Sequence, residues 1–161
     1  MRITKPTAPY RLVKADRTVM TRSVRLHELT DDPNILASLA PEIRSIRVFD
    51  DFDPFVIRLK ERGIKIAIGS NLAQPYADFV RVRLGEQVDI LHFSCEIGLI
   101  KPDPAFFRSA CARLGVAPKD TMMIGDSYKN DFMGAQEAGL NATLIQRSEG
   151  TTLFDCLEGM L

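Results

Sequence analysis

In Ile124-Gly125-Asp126-Ser127-Tyr128-Lys129-Asn130-Asp131, an apolar strand runs into a tight turn, and two carboxylates sit five residues apart just past it. Upstream, Ile100-Lys101-Pro102-Asp103-Pro104 carries a lysine on a turn stiffened by two prolines, and Ile68-Gly69-Ser70-Asn71 ends another apolar run on a serine and an asparagine. Each group closes a candidate strand. Parallel strands would gather a hydroxyl, an ammonium and two acids at one carboxyl edge, where open α/β folds bind ligands. That combination suits a magnesium-dependent phosphate site. Magnesium takes one or two carboxylates together with water and phosphate oxygens. A lysine neutralises phosphate as a point charge, and a hydroxyl with neighbouring backbone N–H groups holds a phosphoryl oxygen.

Each element also has a plain structural reading. Ser70 and Asn71 stand where a helix N-cap belongs. A single lysine is ordinarily solvated surface. Asp103, before Pro104, reads as a helix cap, and carboxylates at a helix start are favoured by the helix dipole. The set is far more specific than its members.

Working outward, Asp31-Asp32-Pro33 predicts a helix start carrying Ile35, Leu36 and Leu39 on one face, with Pro41 restarting the chain. Asp53-Pro54 predicts a second helix, running through Phe55, Val56 and Leu59 to Gly63. Ile64–Ile68, Ile90–Phe93, Thr121–Ile124 and Ala142–Ile145 read as strands. Residues 74–84, Pro104–Leu114 and Asp131–Ala138 read as helices, the last two ended by Gly115 and Gly139. Strands alternating with helices predict an α/β fold, a Rossmann-like, doubly wound parallel sheet with right-handed crossovers.

At 161 residues, 45% hydrophobic and 26% charged, the chain has the makings of one soluble globular domain with a real core. Its formal net charge is zero, which argues against a general nucleic-acid binder. Cys95, Cys111 and Cys156 form no zinc or CxxC pattern and read as reduced thiols. No leader pattern opens the sequence and no run of about 18 apolar residues occurs. The expectation is a cytoplasmic protein outside the membrane.

The constellation resembles the haloacid dehalogenase-like hydrolase superfamily. Ser70-Asn71 looks like its second motif, Lys101 its third, and Gly125-Asp126-Ser127 with Asn130-Asp131 its fourth. Glu96-Ile97-Gly98-Leu99-Ile100-Lys101-Pro102-Asp103-Pro104 and Gly134-Ala135 through Ala138-Gly139 are similar to it as well, so the resemblance covers roughly residues 46–147. It implies a Rossmann-like core with Ser70, Asn71 and Lys101 on phosphate, Asp126 and Asp131 on Mg2+, and Lys101 and Asp126 as catalytic residues. It also implies a small phosphorylated substrate.

The family's attacking aspartate, in an Asp-x-Asp-Gly-Thr sequence ending a central first strand, has no counterpart in that form. Asp51-Phe52-Asp53 has the acid spacing, but Ser70 follows only 17 residues after Asp53, and a helix start suits Asp53-Pro54 better. Leu12-Val13-Lys14-Ala15-Asp16-Arg17-Thr18 resembles the motif with Lys14 in the nucleophile's place, or with Asp16 itself attacking. The nucleophile therefore stays open, with Asp16 and Asp53 as weak candidates. The favoured expectation is a truncated member: residues 1–45 as a remnant of the family's helical cap or a rearranged segment, and residues 46–161 as the core. The family's first strand lies between those ending at Ser70 and Asp126. Its loss would leave backbone groups unpaired, so residues 10–15, residues 45–49 or a strand from a second copy should fill the place. A homodimer is one expected outcome. Two functions compete: a phosphate-ester hydrolase, and a catalytically inactive binding or relic domain. Dehalogenation is the lesser variant of the first. A receiver domain fails on the order of its acids and lysine.

Overall fold

The computed structural model describes residues 33–157, with side chains from 37 onward. Helix α1 (Pro33–Ser45) is followed by α2 (Phe52–Glu61), β1 (Ala67–Ser70), α3 (Gln74–Leu84) and β2 (Ile90–Phe93). A single helical turn at Ser94–Ile97 leads to the Lys101 loop and α4 (Pro104–Leu114). Then come β3 (Met122–Gly125), a π-type turn (Tyr128–Met133) that runs straight into α5 (Gly134–Glu137), and β4 (Asn141–Leu144). Among the described residues the four strands make two parallel pairs, β1 with β2 and β3 with β4, and not one continuous sheet.

Local chemistry accounts for most of these elements. Asp103 caps α4 by accepting the Ala105 N–H at 2.8 Å, Pro104 occupies the first turn, and Gly115 ends the helix at φ 66°. Strand β1 lies two to three residues later than the apolar run Ile64–Ile68 suggests. Lys65 leaves the ladder to donate to the Leu114 carbonyl at 2.7 Å, and the Asp89 carboxylate accepts the Ile66 N–H.

Pro41 does not restart the chain: α1 continues through it to Ser45. A proline removes one helical hydrogen bond, but Glu42 in the next position meets the Tyr76 hydroxyl of α3 and docks that turn. Burial and the Glu42 carboxylate together push the Tyr76 phenol up to about 12. Residues 45–49 form no strand. Val48 packs with the β1–β2 cluster, and the Phe49 ring lies 4.3 Å under the Arg147 guanidinium.

Two apolar clusters hold the two strand pairs. Ala77, Val80 and Leu84 of α3 pack with Leu91 and Phe93 of β2. Phe106, Phe107 and Cys111 of α4 pack with Ala135, Ala138 and Leu140, with Met123 and Ala142 against them. Helix α4 touches both strand pairs. Phe106 stacks edge-on to His92 of β2 at 4.8 Å, and a Cβ on Gly69 of β1 would stand 3.1 Å from its ring. His92 is fully buried. Arg113 can only donate, so His92 accepts through Nδ1 at 3.0 Å and donates from Nε2 to the Phe106 carbonyl at 3.0 Å. Burial, with the neighbouring Arg113 charge, holds the imidazole below its usual range despite the Phe106 carbonyl.

Candidate active site

Lys101 is the centre of the site. Its loop is fixed at the backbone by Asn71, whose Oδ1 accepts the Lys101 N–H at 2.9 Å and whose Nδ2 donates to the Lys101 carbonyl at 2.9 Å. The Lys101–Pro102 peptide is cis. The ammonium donates to the Gly69 carbonyl at 3.2 Å and to Asp131 Oδ1 at 2.6 Å. Both side chains of that ion pair are largely enclosed, at 10% and 5% exposure. The pair ties the carboxyl end of β1 to the turn after β3, two strands that no ladder joins among the described residues.

Asp131 is placed by the π-type turn. The Ser127 carbonyl accepts from both Asp131 N–H and Phe132 N–H, and Ser127 Oγ accepts the Asn130 N–H at 3.1 Å. The widened turn brings Asp131 Oδ2 back onto the Ser127 N–H at 3.0 Å. Such turns recur at functional sites because they re-aim one side chain. Gly125 is needed for the same reason. A Cβ there would stand 2.5 Å from Asp131 Oδ2 and nearer still to its Cβ and Cγ. Gly134 does the equivalent for the Lys101 loop, since a Cβ there would meet the Pro102 carbonyl at 2.7 Å.

The structure thus brings together Asn71, Lys101 and Asp131, all taken from the sequence as site residues. Asn71 has both amide atoms committed to Lys101, a positioning task that nothing in the sequence signals. Ser70 is the half-buried last residue of β1. Asp126 is exposed just past β3. Asp53 sits exposed in the first turn of α2, on a helix and not at a strand end. Asp16 and Lys14 lie outside the described residues.

Asp51 has a separate use. Arg147 clamps it through two bonds, at 2.7 and 3.0 Å, and the Leu153 N–H adds a third at 2.7 Å. Burial alone would raise this carboxyl, but the bonds from Arg147 and Leu153 outweigh it and hold it below its ordinary range. The Asp51–Arg147 pair joins the start of α2 to the C-terminal turns across 96 residues, a separation at which sequence carries no signal.

For magnesium, the donor set is spare. Among the described residues no three His, Cys, Asp or Glu side chains converge, and Asp131 already serves Lys101 and Ser127. The exposed carboxylate of Asp126 fits an ion that keeps most of its ligands as water and phosphate oxygens.

With this geometry in view, the comparisons with known proteins are decisive. The profile of the haloacid dehalogenase-like hydrolases matches residues 10–139. The chain belongs to that family. Among its relatives, a phosphoserine phosphatase from Thermus thermophilus is 31% identical over 108 residues, 66% of this chain and 43% of that protein. The mouse haloacid dehalogenase-like hydrolase domain-containing protein 3 is 36% identical over 91 residues, 56% of this chain and 36% of that protein. The crystal structure of a HAD phosphatase from Thermococcus onnurineus superposes with a TM-score of 0.65 at 28% identity, covering 74% of this chain and 57% of that one. The chain spans less than half the length of these two relatives. The Rossmann-like α/β class expected from the sequence is therefore the fold. No helix among the described residues is long and apolar enough to cross a membrane.

Proposed function

We propose that the protein is a phosphatase of small phosphate esters, with Lys101 and Ser70 holding the phosphoryl group and Asp126 beside Mg2+. The observation that carries this reading is the enclosed Lys101 ammonium at the carboxyl ends of β1 and β3, held by the Gly69 carbonyl and Asp131 while Asn71 fixes the Lys101 backbone. A cation so fixed is preorganised for the charge of a transferring phosphoryl group and needs little rearrangement. Ser70, one residue beyond Gly69, has a hydroxyl to offer a phosphoryl oxygen. Asn71 acts through Lys101. Asp126 supplies the carboxylate for magnesium, and Asp131 holds Lys101 in place beside it. Bound magnesium would neutralise further charge on the phosphate.

The relatives support a phosphate ester as the substrate: one is named a phosphoserine phosphatase, and another a glyceraldehyde 3-phosphate phosphatase from Methanopyrus kandleri, 32% identical over 106 residues. In this reading residues 46–161 are the core, residues 1–45 a cap remnant or a rearranged N-terminal segment, and the protein is cytoplasmic. Its three free cysteines suit a reducing compartment. Attack on phosphorus requires a carboxylate opposite Lys101, which then passes the phosphoryl group to water. Asp16 is the better candidate, since Asp53 lies exposed on α2.

A second reading has its own support. Among the described residues, the one carboxylate bonded to Lys101 is Asp131, which is already paired. A protein without an attacking group would bind phosphate without turning it over. Hydrolysis of an aryl phosphate with magnesium, measured for the wild type and for Asp126→Asn, Asp16→Asn and Asp53→Asn, separates the two. Turnover lost in Asp126→Asn and Asp16→Asn supports the phosphatase. Orthophosphate binding without turnover supports the binding domain, and neither would refute both.

A further inference from the structure

Two of the features that place Lys101 lead to Phe106: the Gly69 carbonyl that accepts its ammonium, and the turn that carries its backbone. The Phe106 ring fills the space beside Gly69, where a Cβ would stand 3.1 Å from it. The Gly69 carbonyl accepts the Lys101 ammonium at 3.2 Å. Along the chain, the Phe106 N–H donates to the Asp103 carbonyl at 3.0 Å, and the Asp103 N–H donates to the Ile100 carbonyl at 2.9 Å. The turn holding Lys101 is thus built back from the first turn of α4.

Phe106 in turn is held by His92. In the β1–β2 ladder His92 stands directly beside Gly69, so both residues face the side of the sheet on which Phe106 lies. The two rings meet edge-on with centroids 4.8 Å apart. His92 Nε2 donates to the Phe106 carbonyl at 3.0 Å, and Nδ1 accepts from Arg113 at 3.0 Å. Arg113 lies about two turns further along α4, so His92 grips that helix at two points. The imidazole is fully buried and both of its nitrogens are committed.

We propose that His92 is a positioning residue for Lys101: bonded to the Phe106 carbonyl and to Arg113, it holds the Phe106 ring against Gly69 and so sets the carbonyl and the turn that place the ammonium. The arrangement admits one protonation state. A guanidinium can only donate, so Nδ1 must accept. A second proton on the ring would set two donors face to face at the 3.0 Å Arg113 contact. Burial opposes that proton most, and the Arg113 charge from α4 opposes it too. The Phe106 carbonyl and Glu96, in the helical turn after β2, favour it, and β1 presents no titratable side chain. Gaining the proton should therefore release Phe106 and, through Gly69, loosen the hold on Lys101. That the ammonium so placed receives phosphate rests on the phosphatase reading. The coupling of His92 to Lys101 does not.

Nitrogen-15 NMR on the full chain reads the coupling without turnover. In a His27→Gln background His92 is the sole histidine. The signals to track from about pH 8 to about pH 5 are the His92 ring nitrogens, the Gly69 amide and the Lys101 ammonium, with the Thr143 amide of β4 as reference. The expected result is a proton on Nε2 at the upper end and one midpoint shared by the ring, Gly69 and Lys101, with Thr143 unmoved. Arg113→Met, which leaves the Phe106 bond in place, should raise all three midpoints together. A proton on Nδ1, or Gly69 and Lys101 signals that ignore the ring, would overturn the proposal. Where acid unfolds the chain first, seen as loss of the Thr143 signal, two variants decide the matter at about pH 7.5. His92→Phe keeps a ring and removes the bond, while His92→Gln keeps a donor for the Phe106 carbonyl. Lys101 and Gly69 signals displaced in the first and restored in the second support the positioning role; identical signals in both overturn it. Orthophosphate affinity should fall by at least about tenfold in His92→Phe and recover in His92→Gln. A His92→Phe protein that binds orthophosphate as tightly as the wild type would overturn the proposal. If the wild type binds no orthophosphate while Lys101 still tracks His92, the phosphatase reading fails and the positioning role stands.

Discussion

Replacing Gly125 by alanine should cost far more than a methyl group on a surface turn normally would. The added Cβ would stand 2.5 Å from Asp131 Oδ2 and nearer to Cβ and Cγ, so the clash is with the root of a short side chain that cannot swing away. Restoring ordinary carbon contact distances of about 3.5 Å requires a displacement of roughly 1 Å. The same shift would stretch the 2.6 Å Lys101–Asp131 bond and the 3.0 Å Ser127–Asp131 bond beyond hydrogen-bonding reach. Lys101 and Asp131 are 90% or more enclosed, so water replaces the lost partner poorly. Breaking a buried ion pair by moving one partner costs about 3 kcal/mol. With a urea slope of about 2 kcal/mol/M for a domain of this size, the unfolding midpoint should fall by about 1.5 M. Gly85→Ala is the matched control. Its Cβ would find Leu91 Cδ1 at 3.7 Å and Arg81 Cγ at 3.8 Å, and its φ of −60° suits alanine. That variant should be neutral or stabilised by up to about 1 kcal/mol. A Gly125→Ala midpoint within about 0.3 M of wild type would refute the argument that Gly125 makes room for the Asp131 carboxylate.

Three further outcomes follow from the same geometry. Gly134→Ala would press a Cβ against the Pro102 carbonyl and Phe107, so it should destabilise by about 1–3 kcal/mol and lower turnover, checked by thermal unfolding alongside the aryl phosphate assay. Asn71→Ala removes both bonds to the Lys101 backbone; it should cost about 1–2 kcal/mol by urea unfolding and reduce kcat more than Ser70→Ala raises KM. His92 is held below its unfolded value of 6.5 by burial first, so the unfolded chain takes up its proton more readily. Stability is therefore fully present above pH 6.5 and should be lost as pH falls below it. The check is Tm from about pH 7.5 to about pH 5.5 in a His27→Gln background, where His92 is the sole histidine. A flat profile there would contradict the buried neutral imidazole.

Much of the molecule is legible without coordinates, because the signals are local. Apolar runs bounded by Gly, Pro and Asp place β2, α3 and α4 as found, and Asp103-Pro104 with Gly115 marks both ends of α4. Ser70, Lys101, Asp126 and Asp131 stand out by residue type and spacing, and they carry the family. Other features depend on groups far apart in the chain. Asn71 meets Lys101 across 30 residues, Asp51 meets Arg147 across 96, and the His92 imidazole is held low by burial under α4, with the Arg113 charge beside it. Pro41 stays inside a helix because Glu42 finds Tyr76. Hydrophobic period and turn chemistry report what a segment prefers by itself. Which backbone edges pair, as β1 does with β2 and β3 with β4, is decided only when separate segments compete for the same hydrogen bonds and the same buried space.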